Sequence, residues 1–146
     1  SLLLQTRFSK TIPAVLERIQ FLPRQSFDDY LNLMTLAEVM LDSFHFGGGS
    51  TTYEALAIGI PIVTWPSPLM RGRFAYGCYK RMGVMDCVAD TPQRYVEIAL
   101  RLGTDPAYRD KIKHKILAAN QVLYEDMKVV REFEKFWVAA VAKSSN

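Results

Sequence analysis

The chain has 146 residues, enough for one domain with its own core. Hydrophobic residues make up 49% and charged residues 23%, the balance of an ordinary globular protein rather than a disordered or fibrous one. A net charge of +3, with bases spread among acids, gives no nucleic-acid footprint, and no apolar run approaches a membrane span.

Taken in order, Leu2–Arg7 reads as a strand and Lys10–Glu17 as a short helix. "RIQFLP" follows as a second strand, stopped by Pro23. Ser26 with Asp29 three residues on has the form of a capping box and opens a helix to about Leu33. "AEVMLDSF" is a strand ending near Asp42, here taken as a strand-end turn residue. The segment "FGGGSTTYEALAIGIPIV" then runs through three glycines into a helix that Gly59 and Pro61 stop. "PIVTWP" is a buried-type strand, Gly72–Met82 a helix closed by Gly83, and "VMDCVA" another strand. Two amphipathic helices come next, Thr91–Gly103, with Thr91-Pro92 as N-cap and first residue, and Pro106–Leu123. A last helix, Met127–Lys143, groups Phe133, Phe136 and Trp137.

Strands and helices alternate at crossover spacing. The expected fold class is therefore α/β, a Rossmann-like parallel sheet with helices on both faces. The expected division is residues 1–126 as one Rossmann-like domain and 127–146 as a C-terminal helix. Cys78 and Cys87 fit no metal spacing, and with two histidines no metal site is expected. Reduced thiols in an intracellular, cytoplasmic protein are the expectation. The opening "SLLLQTRF", without an initiator Met, reads as a strand entered partway through a longer protein.

The glycine segment sits where α/β sheets bind ligands, between the carboxyl end of a strand and a helix N-terminus. Glycines 47–49 would let backbone approach a phosphate, and Ser50, Thr51 and Thr52 offer hydroxyl donors. Two alternatives stand beside this one: a floppy Gly-Ser loop, and a Thr51–Glu54 capping box that needs no ligand. The pattern is neither a Walker loop nor GxGxxG.

"LDSFHFGGGSTTYEALAIGIPIVTWPS" resembles the nucleotide-binding motif of the O-GlcNAc transferase family, which includes SPINDLY-like proteins. The likeness continues through "RGRFAYGCYKRMGV" and "YVEIALRLGTDPAYRDKIKHKI". The resemblance implies the C-terminal part of a GT-B catalytic region. It implies sugar transfer, GlcNAc first, from a UDP-sugar donor to Ser or Thr of an acceptor protein, with no metal and no further cofactor. Upstream catalytic sequence, including a diphosphate-neutralising lysine, and helical TPR repeats are also implied, so that the chain alone would not turn over. By the same resemblance Gly49, Ser50 and Thr51, with Gly48 beside them, hold the diphosphate, glycine standing at position 49 where the family has histidine. Glu54 takes the ribose hydroxyls, Gln25 lends its backbone to uracil, Tyr30 stacks on the base, and Phe27 stands where the family has a lysine. Arg73 faces either the substrate cleft or solvent from a helix surface. Transfer of glucose or fucose, and a non-catalytic module docking through the last helix, remain as alternatives. His45, His114, Trp65 and Tyr76 read as ordinary surface or packing residues.

Overall fold

The computed structural model describes residues 2–144, apart from the side chain of Ser144. The chain divides into two compact units, residues 1–33 and 34–146.

In the first unit, Leu2–Thr11 is a helix (α1) and not the expected strand, and none of its residues is buried. The run LLLQT is rich in strong helix formers, and a helix satisfies its own backbone groups where a strand must find a partner. Pro13 cannot continue α1, and Pro13–Arg18 instead makes a 3-10 turn in place of the helix expected over Lys10–Glu17. Of "RIQFLP", Arg18 ends that turn and residues 19–23 lie in no strand or helix. The capping box holds: Asp29 N donates to Ser26 Oγ at 3.2 Å while Ser26 Oγ donates to Asp29 Oδ2 at 2.6 Å. It opens α2, Phe27–Thr35, which ends in the second unit.

The second unit is built on β1 (Met40–Leu41) and β2 (Ile62–Val63), paired in parallel with Met40 opposite Ile62 and Leu41 opposite Val63. An isolated parallel bridge joins Thr64 to Val88. The α/β character and the parallel pairing agree with the sequence reading. The broad Rossmann-like sheet does not, because among the described residues the sheet has two strands. "VMDCVA" turns back on itself, Val88 N bonding Met85 O, and so offers one bridge residue instead of a strand.

Between the strands runs α3, Ser50–Ala57, whose Ala55 and Leu56 are fully buried. The turn after it passes through Gly59, with φ +81°, where a β-carbon would lie 2.8 Å from Leu117 Cγ. Helix α4 (Phe74–Met82) buries Ala75, Cys78, Tyr79 and Met82 and closes on left-handed Gly83, as expected. Helix α5 (Pro92–Thr104) starts from the expected cap, Thr91 accepting from Arg94 N at 3.1 Å. Helix α6 (Pro106–Ala119) stops earlier than expected and tightens into a 3-10 turn over Asn120–Leu123. The cause is tertiary: Asn120 is buried and donates to Leu56 O at 2.9 Å, covering a carbonyl at the end of α3. Leu56, Val63, Leu102, Ile112 and Ile116 form the centre of the core. Tyr79, with no exposed surface, accepts a hydrogen bond from Ile62 N at 2.8 Å.

Helix α7, Met127–Ser144, leaves Phe133, Phe136 and Trp137 59–61% exposed. Among the described residues no helix is long and apolar enough to cross a membrane.

Both cysteines are free and buried. Burial pushes the Cys87 thiol up to about 12, and burial together with the Asp42 carboxylate pushes Tyr95 up to about 12. In the unfolded chain these groups ionise near their ordinary values of 9.0 and 10.0. Their folded pKa values are raised, so their contribution is complete below about pH 9 and is lost as pH climbs towards 12. Thermal unfolding followed by circular dichroism should therefore show a flat Tm to about pH 9 and a steep fall above it. A Tm unchanged to pH 11 would remove these two groups from the linkage.

Candidate functional site

The site grows from the end of β1. Asp42 N continues the ladder by bonding Val63 O at 2.9 Å, and its side chain then turns to the loop that follows. Asp42 Oδ1 accepts from Gly48 N at 3.2 Å, and Oδ2 accepts from the Thr64 hydroxyl, one residue beyond β2, at 2.9 Å. Its backbone carbonyl accepts from the Tyr95 hydroxyl of α5 at 3.0 Å. The loop is held from a second side as well: Gly47 N donates to Arg71 O at 2.7 Å, and Arg71 Nε donates to His45 O at 3.2 Å. Phe44 stands edge-on to both Trp65 and Tyr95, ring centroids 5.1 Å away in each case.

Two of the three glycines are constrained by their neighbours. A β-carbon on Gly47 would lie 2.8 Å from Asp42 Oδ1, and one on Gly48 would collide with Thr51 Oγ1. Around Gly49 nothing lies within 4 Å of such a carbon, so the space there is open. Gly49 is the N-cap of α3 and supplies no side-chain hydrogen bond to it. Thr52 closes the turn internally, its hydroxyl donating to Gly48 O at 2.7 Å and its N to Gly49 O at 3.0 Å. Ser50 is exposed and Thr51 half-buried at the first turn, where a helix has N–H groups without intrahelical acceptors.

These contacts bear on two of the readings of the glycine segment. The loop is clamped by Asp42 on one side and Arg71 on the other, which a floppy linker is not. The Thr51–Glu54 box is not formed, because the helix starts at Ser50 with Gly49 as cap. Glu54 is half-buried, and its Oε2 is fully buried with no hydrogen-bond partner. A buried oxygen without a hydrogen-bond partner within the protein carries a desolvation cost.

The remaining candidates are placed as follows. Arg73 is exposed at the start of α4 and lies 5.1 Å from the Tyr76 ring centroid. It also lines a cavity of about 470 Å³ with Tyr53, Met70, Phe74, Cys78 and Arg81. Gln25 and Tyr30 belong to the 1–33 unit: Gln25 Nε2 donates to Pro23 O at 2.9 Å, and Tyr30 is half-buried in α2. His45 is exposed, and His114 Nδ1 lies 2.7 Å from Asp110 O on the surface of α6. The sequence reading missed Asp42 as the clamp, with Thr64 and Tyr95 as its partners. An aspartate directly after a strand and before a glycine run was the signal available.

Residues 4–130 match the family model for glycosyl transferase family 41. The UDP-N-acetylglucosamine–peptide N-acetylglucosaminyltransferase of Caenorhabditis elegans is 34% identical over 102 residues, covering 70% of this chain and 9% of that protein. The probable UDP-N-acetylglucosamine–peptide N-acetylglucosaminyltransferase SPINDLY of Solanum lycopersicum is 26% identical over 124 residues, covering 83% of this chain and 13% of that one. The chain thus spans about a tenth of the length of these relatives. A Thermobaculum terrenum O-GlcNAc transferase carrying K341M has the same fold over 99% of this chain and 29% of its own, with a TM-score of 0.82 at 23% identity. With the family model covering most of its length, this chain belongs to glycosyl transferase family 41.

Proposed function

We propose that the chain is the donor-nucleotide portion of a protein O-glycosyltransferase, one that moves GlcNAc from UDP-GlcNAc to serine or threonine hydroxyls. The observation that carries the proposal is the glycine loop clamped at the carboxyl end of a parallel strand and delivered into the N-terminus of α3. Both relatives named above act, by their names, on UDP-N-acetylglucosamine and peptide.

On this reading the diphosphate rests against the backbone of Gly49 and the backbone and hydroxyls of Ser50 and Thr51. As the glycosidic bond breaks, negative charge grows on the leaving diphosphate, and donors fixed in advance stabilise that charge more than the ground state. The N-terminal end of α3 adds its positive dipole. No metal is required by this arrangement. Glu54 Oε2 receives the ribose hydroxyls, which supply the donors it lacks within the fold. Gln25 and Tyr30 are assigned to the uracil, and Arg73 to the substrate side of the cleft. Acceptor binding, the catalytic groups and any TPR repeats are assigned to the rest of a longer protein, and the chain by itself is expected to bind without turning over.

A titration of the isotope-labelled chain with UDP, followed on backbone amides, tests the reading. Saturable shifts centred on residues 47–54 are expected. Saturable binding that leaves those amides unmoved, or no shift at millimolar UDP, would overturn the assignment of this loop.

A further inference from the structure

Three oxygens of one residue hold three different parts of the second unit. Asp42 Oδ1 takes Gly48 N–H, Oδ2 takes the Thr64 hydroxyl, and the main-chain carbonyl takes the Tyr95 hydroxyl. The loop, the end of β2 and helix α5 therefore share a single anchor. Thr64 is 1% exposed and Tyr95 8%, so the anchor's partners cannot swing away without opening the core.

We propose that Asp42 is a positioning residue of the donor site: it fixes the glycine loop so that the first turn of α3 presents its donors to the diphosphate. The inference rests on the nucleotide-binding reading and adds a division of labour within it. Gly48 has both of its backbone polar groups engaged inside the fold, N–H with Asp42 and C=O with the Thr52 hydroxyl. Gly48 is thereby a shape residue and not a phosphate donor, and donation falls to Gly49, Ser50 and Thr51. Each carboxylate oxygen accepts from a donor within the fold, Oδ1 from Gly48 N and Oδ2 from the Thr64 hydroxyl. Gly47 completes the device, because only a residue without a β-carbon passes Asp42 Oδ1 at this distance.

The test uses the 146-residue chain and three variants, with UDP as the probe. Asp42→Ala removes both side-chain bonds. Thr64→Val leaves the loop sequence intact and removes the hydroxyl that orients the carboxylate. Asp42→Asn keeps an acceptor for Gly48 N and turns an amide N–H₂ towards the Thr64 oxygen, so it is the conservative rescue. Circular dichroism and Tm establish which variants are folded, and Thr64→Val carries the test should Asp42→Ala not fold. The expected result is UDP dissociation constants raised about tenfold for Asp42→Ala and about threefold for Thr64→Val, with Asp42→Asn within about threefold of the parent. Exchange of the Gly48 amide hydrogen should speed up in the first two variants and not in the third. Unchanged UDP affinity in folded Asp42→Ala or Thr64→Val overturns the proposal. Equal losses in Asp42→Asn and Asp42→Ala do so too, since hydrogen bonding would then not be the cause. If the parent chain does not bind UDP, the nucleotide reading fails separately. Gly48 exchange then decides only whether Asp42 fixes the loop: faster in Asp42→Ala and Thr64→Val it does, unchanged it does not.

Discussion

Gly47→Val is expected to destabilise the second unit by about 3 kcal/mol and to abolish UDP binding, whereas Gly49→Val should cost less than about 1 kcal/mol. The two positions are two residues apart in one loop, and composition does not distinguish them. Geometry does. A β-carbon at Gly47 falls 2.8 Å from Asp42 Oδ1, closer than real contacts of that kind, so either the loop or the carboxylate must move. If the carboxylate moves, it abandons Gly48 N and the buried Thr64 hydroxyl, leaving polar groups without partners. Overpacking contributes about 1–3 kcal/mol and an unsatisfied buried partner a similar amount, hence the estimate. At Gly49 nothing lies within 4 Å of such a carbon, and its φ of −89° is not left-handed. Urea unfolding of both variants checks the contrast. Equal losses of stability at the two positions would mean that the Asp42 contact does not constrain the loop.

For Glu54 stability and affinity should separate. Glu54→Leu is expected to weaken UDP binding by about 1–3 kcal/mol while leaving the fold unchanged or up to about 2 kcal/mol more stable. The reason is the buried Oε2 without a hydrogen-bond partner. An apolar replacement removes that penalty from the free protein and removes an acceptor from the bound one. Residues retained at a cost to the fold mark a site where a ligand supplies what the fold withholds. Urea unfolding and UDP titration of the same sample measure the two quantities together. Loss of stability in parallel with affinity would make Glu54 a structural residue.

What could be read from the sequence follows the range of the interactions concerned. The Ser26–Asp29 box, the Thr91-Pro92 start of α5 and the Gly83 stop of α4 involve partners within a turn, and all three stand as read. Leu2–Arg7 and "RIQFLP" read as strands from their side chains alone, but a strand exists only beside another, and among the described residues neither pairs with one. The end of α6 escaped notice because Asn120 answers to Leu56, 64 residues earlier. The same holds at the site. The glycine run and its hydroxyls are conspicuous in the sequence, while the residue that holds the loop speaks to positions 6, 22 and 53 residues onward. The unformed Thr51–Glu54 box shows the converse. A local pattern satisfied on paper gave way once Gly49 became the cap.

The two buried thiols give this molecule a pair of internal clocks. Cys78 forms part of the wall of the cavity beside Arg73, and Cys87 lies fully enclosed next to the Thr64–Val88 bridge. A thiol reacts with an alkylating reagent as thiolate, and only when exposed, so each labels at the rate at which its own surroundings open. Mass spectrometry of the separate peptides would time the α3–α4 cavity and the bridged end of the sheet independently, in one tube and with no engineered probe. A ligand that braces the glycine loop should slow the Cys87 clock, which sits one bridge away from the Asp42 anchor, more than the Cys78 clock.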